Sequence, residues 1–95
     1  MGIFDTVDES KHEKHKELTE KLHETYIKKN QDYGDSFGAL FDRYGLVSSD
    51  IRLTDKLNRF RQLIQNEAEV KDESIKDTLL DLANYAIMTV IELDK

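Results

Sequence analysis

The stretch ESIKDTLLDLANYAIMTVIEL, residues 73–93, decides the fold. Its apolar residues, Ile75, Leu79, Leu80, Leu82, Ala83, Ala86, Ile87, Met88, Val90, Ile91 and Leu93, recur at helical spacing and cover a wide arc. An arc wider than one amphipathic stripe predicts a central helix that touches neighbours on more than one side. Asp72 is a suitable N-cap for it.

Two further segments have a helical period. From about Asp8 to Gln31, Leu18, Leu22, Thr25, Tyr26 and Lys29 share a face. The charged run before them predicts that residues 1–16 fray or project into solvent. From Ser49 or Asp50, taken as N-cap, to about Asn66, the row Leu53, Leu57, Phe60, Ile64 predicts the packing seam. Three of the four glycines (Gly34, Gly38, Gly45) fall in one short region, so residues 32–49 read as a Gly-rich connection, with room for a short helix around Phe37 to Arg43. Gly34 suits a left-handed helix end. Glu67 to Lys71 reads as a short acidic connection. No segment alternates with the period of a strand. The expected fold is all-α, a single domain of three long helices completed as a bundle by homo-oligomerisation.

Composition removes several alternatives. The chain has 95 residues, no Cys, no Pro and no Trp, with 14 Lys+Arg against 20 Asp+Glu and a net charge of −6. Without cysteine there is no disulfide framework, zinc-thiolate site or thiol nucleophile, which agrees with a cytoplasmic location. No apolar run reaches the roughly 18 residues of a membrane span. The opening Met1-Gly2-Ile3-Phe4-Asp5-Thr6 matches a loose myristoylation pattern, but its acidic neighbours argue for coincidence. A net acidic chain is a poor partner for the nucleic-acid backbone. P-loop, Rossmann and nucleophile-elbow motifs are absent from the sequence.

Chemistry concentrates in two stripes. Glu73, Asp77, Asp81 and Asn84, at spacings 4, 4 and 3, project from one face of the last segment. Carboxylates four apart repel, so on so apolar a helix they call for a compensating cation. A solvent face is the plain alternative, although such a face would mix in more Lys and Arg. Carboxylate oxygens suit Mg²⁺. Arg52, Lys56 and Arg59, at spacings 4 and 3, form a cationic stripe on the second segment, with Asp55 between the two arginines. They read either as intrahelical ion pairs or as a phosphate clamp. Lys29 either snorkels or reaches a shared site, with Tyr33 and Phe37 available to stack on a base. His12 and His15 stand at i, i+3 in the most polar part of the chain, and His23 is on a polar face, so all three read as solvated. Together the stripes suit hydrolysis of a metal-bound phosphoanhydride.

The strings Lys29-Asn30-Gln31-Asp32-Tyr33-Gly34, Arg52-Leu53-Thr54-Asp55-Lys56-Leu57-Asn58-Arg59, Asp72-Glu73-Ser74 and Asp77-Thr78-Leu79-Leu80-Asp81-Leu82-Ala83-Asn84-Tyr85-Ala86 resemble one family. It is the nucleotide modification associated domain, type one, of small phage and bacterial proteins, considered a relative of the all-α MazG and dimeric dUTPase pyrophosphohydrolases. The resemblance covers about residues 25 to 93. It implies a dimeric or tetrameric helical bundle that binds Mg²⁺ through acidic residues and converts a nucleoside triphosphate to monophosphate and pyrophosphate. Asp77 and Asp81 correspond to the acidic motif, and Asn84 and Tyr85 lie where base or sugar contacts fall. The departure is on the second helix, where MazG enzymes carry two glutamates three apart and this chain has Asp55, Lys56 and Arg59.

The expected assignment follows. Asp55, Glu73, Asp77 and Asp81 hold Mg²⁺, and one of Glu73, Asp77 and Asp81 orients the attacking water. Lys29, Arg52, Lys56 and Arg59 take the phosphates, while Asp32, Tyr33, Asn84 and Tyr85 contribute to binding the nucleotide. A non-catalytic nucleotide-binding subunit and a purely structural helical adaptor are the alternatives.

Overall fold

The computed structural model describes residues 7–66 and 72–95. The myristoylation-like opening and the acidic connection at 67–71 lie outside them. Among the described residues every regular element is an α-helix: α1 (Glu9–Tyr33), α2 (Ser36–Tyr44), α3 (Leu46–Gln65) and α4 (Asp72–Leu93). No helix among them is long and apolar enough to cross a membrane. The chain divides into two compact units, residues 1–32 and 33–95.

The first unit is helix α1. Asp8 starts it: its Oδ1 accepts from the Ser10 backbone N–H at 3.0 Å and its carbonyl accepts from the Lys11 N–H at 3.1 Å. The Ser10 hydroxyl also donates to this carboxylate, which holds Asp8 below the usual carboxylate range. The charged stretch is therefore helical from Glu9 onward, and fully exposed. Half-burial falls on Leu22, Thr25, Tyr26 and Asn30, with Asn30 Nδ2 donating to Tyr26 Oη at 3.3 Å.

The second unit holds α2, α3 and α4. Gly34 has φ +70°, a left-handed value costly to a residue with a Cβ, and it separates α1 from α2. Asp35 then caps α2, its Oδ1 accepting from the Gly38 N–H at 3.1 Å. A Cβ on Gly38 would collide with that same carboxylate, so cap and glycine require each other.

The α2–α3 junction corrects the expected start of the second long helix. α3 begins at Leu46, not at Ser49 or Asp50, so the 32–49 stretch is largely helical rather than a connection. Gly45 has φ +69°; its N–H donates to the Phe41 carbonyl at 2.7 Å, closing α2. Its own carbonyl accepts from both the Ser48 N–H at 3.1 Å and the Ser48 Oγ at 2.8 Å, opening α3. One residue ends a helix and begins the next, and Ser49 lies one turn inside, 2% exposed.

α3 and α4 pack chiefly against each other, and α2 packs on both. The expected seam of α3 is corrected too. Leu57 and Ile64 are exposed, whereas Ser49, Leu53, Lys56, Phe60 and Leu63, spaced 4, 3, 4, 3, are buried or half-buried. The inward row of α4 is likewise polar in part. Thr78, Thr89 and Glu92 are buried, while Leu79, Ile87, Val90, Ile91 and Leu93 are exposed. The threonines are accommodated by donating to carbonyls one turn back, Thr78 Oγ1 to Ser74 at 2.7 Å and Thr89 Oγ1 to Tyr85 at 2.8 Å. Glu92 pairs with Lys95 at 2.8 Å, and Lys95 reaches Asp42 of α2 at 3.1 Å, tying the end of α4 to α2.

Candidate functional site at the seam of α3 and α4

The 4-3-4-3 row of α3 places Lys56 in the middle of its inward face, one turn from Leu53 and from Phe60. Across the seam Asp81 stands on α4, and Lys56 Nζ lies 3.1 Å from Asp81 Oδ2, with the two side chains 26% and 29% exposed. A half-buried charge needs a counter-charge, and this pair supplies it in both directions. The two stripes therefore meet, at one lysine and one aspartate.

Around that contact the remaining charged residues of the two stripes face water. Arg52 and Arg59 flank Lys56 by one turn on either side, and both are exposed. Asp55 is exposed between them. Among the described residues neither arginine pairs with Asp55, although the spacing permits it. Their guanidinium groups thus remain available to an anionic ligand. On α4, Glu73 and Asp77 are exposed and Asp81 and Asn84 half-buried. Asp77, four residues before Asp81, brings a second carboxylate to the same face one turn away.

Aromatic positions are redistributed. Phe37 is buried at 8% exposure, and its ring stacks on Tyr85 with centroids 6.0 Å apart and planes at 19°. The expectation that Phe37 offers a face to a base is therefore corrected: that face is spent on α4. The Tyr85 ring anchors α2 against α4, one residue from Asn84. Tyr33, by contrast, is 77% exposed. Lys29 and Asp32 belong to the first unit, where both are exposed on the last turns of α1.

Among the described residues no three His, Asp or Glu side chains gather where they could hold a metal ion. The donor set thus does not fit an all-protein cage.

Apolar patterning concealed the contact at the centre of this site. Leu53, Leu57, Phe60 and Ile64 are all apolar, whereas the inward row shares only Leu53 and Phe60 with them and carries Ser49 and Lys56, so the seam reads as theirs. The signal for Lys56 was its place in the row Ser49, Leu53, Lys56, Phe60, Leu63 at alternating spacings of 4 and 3, which hydrophobicity alone does not weigh.

A family model described as nucleotide modification associated domain 1 matches residues 29–93, which include all of α2, α3 and α4. No curated protein and no solved structure matches the chain.

Proposed function

Because the chain belongs to the nucleotide modification associated domain 1 family, we propose that the α3–α4 seam binds a nucleoside triphosphate with its Mg²⁺ and cleaves it to the monophosphate and pyrophosphate. The observation that carries this reading is the Lys56–Asp81 contact, which joins the cationic stripe of α3 to the acidic stripe of α4 at one pair. Arg52 and Arg59, exposed on either side, take phosphate oxygens by bidentate hydrogen bonds, and Lys56 adds a point charge between them. Asp77 and Asp81 are the carboxylates that would hold Mg²⁺, with Glu73 and Asp55 at the margins. Bound there, the ion would neutralise phosphate charge and polarise the scissile anhydride.

The chain's own residues account for the rest. A carboxylate of α4, Asp77 or Glu73, orients a water and accepts its proton. The water oxygen bonds to the α-phosphorus as the bond from that phosphorus to the bridging oxygen breaks. Pyrophosphate departs with that bridging oxygen, its charge stabilised by the cationic row. Asn84 and Tyr33 are assigned to nucleoside contacts, and the working unit is a homo-oligomer of a MazG-like bundle. Exposed Leu79, Val90 and Leu93 on α4 and Leu46, Leu57 and Ile64 on α3 support the oligomer, since a lone chain leaves them in water.

A second reading, nucleotide binding without turnover, is favoured by the same ion pair, because Asp81 already carries an ammonium. Phosphorus NMR of the protein with Mg²⁺ and each of the common ribo- and deoxyribonucleoside triphosphates separates the two. Pyrophosphate from at least one of them, abolished by Asp77→Asn, is expected. Binding without pyrophosphate from any leaves the second reading standing and removes the first.

A further inference from the structure

We propose that the outer face of α4 is a dimer interface, on which α4 of a second copy lies antiparallel about a two-fold axis level with Tyr85. The inference rests on the homo-oligomer of the proposed function and gives it a specific face; it does not depend on what the seam binds. Lys76, Leu80, Ala83, Ile87, Val90 and Asp94 follow at spacings 4, 3, 4, 3 and 4, a single heptad row. At about 100° per residue this row lies opposite Thr78, Tyr85 and Glu92, the inward side of α4. Ile87 is 49% and Val90 55% exposed, and Ala86 and Ile91 beside them are exposed as well. Between Lys76 and Asp94 the row carries no charge, so a lone chain holds about three turns of apolar helix against water.

The order of residues in the row selects a second copy as its cover. Turned end to end about Tyr85, the row complements itself: Lys76 falls opposite Asp94, Leu80 opposite Val90, and Ala83 opposite Ile87. An antiparallel copy therefore sets cation against anion at both ends. At the centre it sets a small side chain against a large one, the fit of a knob into a hole, and the alanine lets the two backbones approach. A parallel copy would instead bring Lys76 onto Lys76 and Asp94 onto Asp94, a repulsion at each end. Both charges are exposed, and neither has an ion-pair partner among the described residues. Within one chain a helical rise of about 27 Å separates them, too far for them to pair with each other. In a two-fold pair each contact is made twice, so each substitution acts twice.

Sedimentation equilibrium of the full chain tests the interface. The unmodified protein should form dimers, or tetramers built from them. Lys76→Glu and Asp94→Lys should each weaken this association about tenfold, because each sets like charges together at both ends. The double variant Lys76→Glu/Asp94→Lys should recover to within about threefold of the unmodified protein, since the pair re-forms with its signs exchanged. Ile87→Glu, at an exposed position outside the packing of α4 on α3, should weaken association about a hundredfold or more. Circular dichroism checks that every variant keeps its helices. An oligomer indifferent to Ile87→Glu or to the single charge reversals, or a charge exchange that restores nothing, overturns this interface and leaves the homo-oligomer reading standing. A chain that stays monomeric at about 0.5 mM overturns both. Nucleotide turnover is read separately, by the phosphorus NMR.

Discussion

Lys56 and Ser49 occupy the same inward row of α3, and each is a polar group where an apolar one would be expected. Their energetics differ. Lys56 is matched by Asp81, so removing either partner alone leaves a half-buried charge. The Ser49 hydroxyl is buried with no hydrogen-bond partner among the described residues. An unmatched buried hydroxyl costs about 1–3 kcal/mol. Ser49→Ala should therefore stabilise the protein by about 1 kcal/mol, a rise of roughly 4–8 °C in melting temperature for a chain of this size. Thermal unfolding followed by circular dichroism checks it, and a lower melting temperature would mean that the hydroxyl is satisfied in solution. Residue identity alone gave little warning here, because a serine in a Gly-Leu-Val-Ser-Ser-Asp string reads as a cap. Only the restart of the helix at Gly45 places it inside.

At the level of elements, α4 was the most legible part of the chain, and its described start at Asp72 lies one residue from the expected one. Its period is long and its apolar content high, and no glycine interrupts it. The start of α3 was harder to read, since Gly45 serves two helices and a glycine-rich region reads as a loop unless the positive φ is known. The acidic and cationic stripes could be read from spacing, but the point where they touch depends on helix phase at the interface. The end of α4 carries its own prediction. The Glu92 carboxylate, and Asp42 after it, hold the Lys95 ammonium above its usual range. A cation whose folded value is raised contributes its stability in full below the unfolded value and loses it as pH rises through the folded one. The difference in melting temperature between the unmodified protein and Lys95→Met should thus stay constant from about pH 6 to 9 and close above about pH 10.5, near the usual lysine value. A difference that closes at neutral pH would assign the effect to another group.

For the molecule as a whole, the balance of 14 bases to 20 acids matters less than where a few of them stand. Phe37 is the one buried apolar residue among those described, and much of the apolar surface of α3 and α4 faces water. The second unit is held by threonines bonded to their own helix, by the Phe37–Tyr85 stack, by the half-buried Lys56–Asp81 pair and by the Glu92–Lys95 pair at the end of α4. So polar a seam is a modest source of stability and a suitable surface for a charged ligand. The central claim, that this seam takes a nucleoside triphosphate with Mg²⁺, is tested most directly by calorimetric titration of the protein with such triphosphates in the presence and absence of Mg²⁺. The account predicts saturable, Mg²⁺-dependent binding of at least one triphosphate, weakened at least tenfold in Arg52→Ala/Arg59→Ala, a loss of two phosphate contacts worth about 1.4 kcal/mol or more. No heat of binding with any triphosphate, or an affinity indifferent to both arginines, would contradict it.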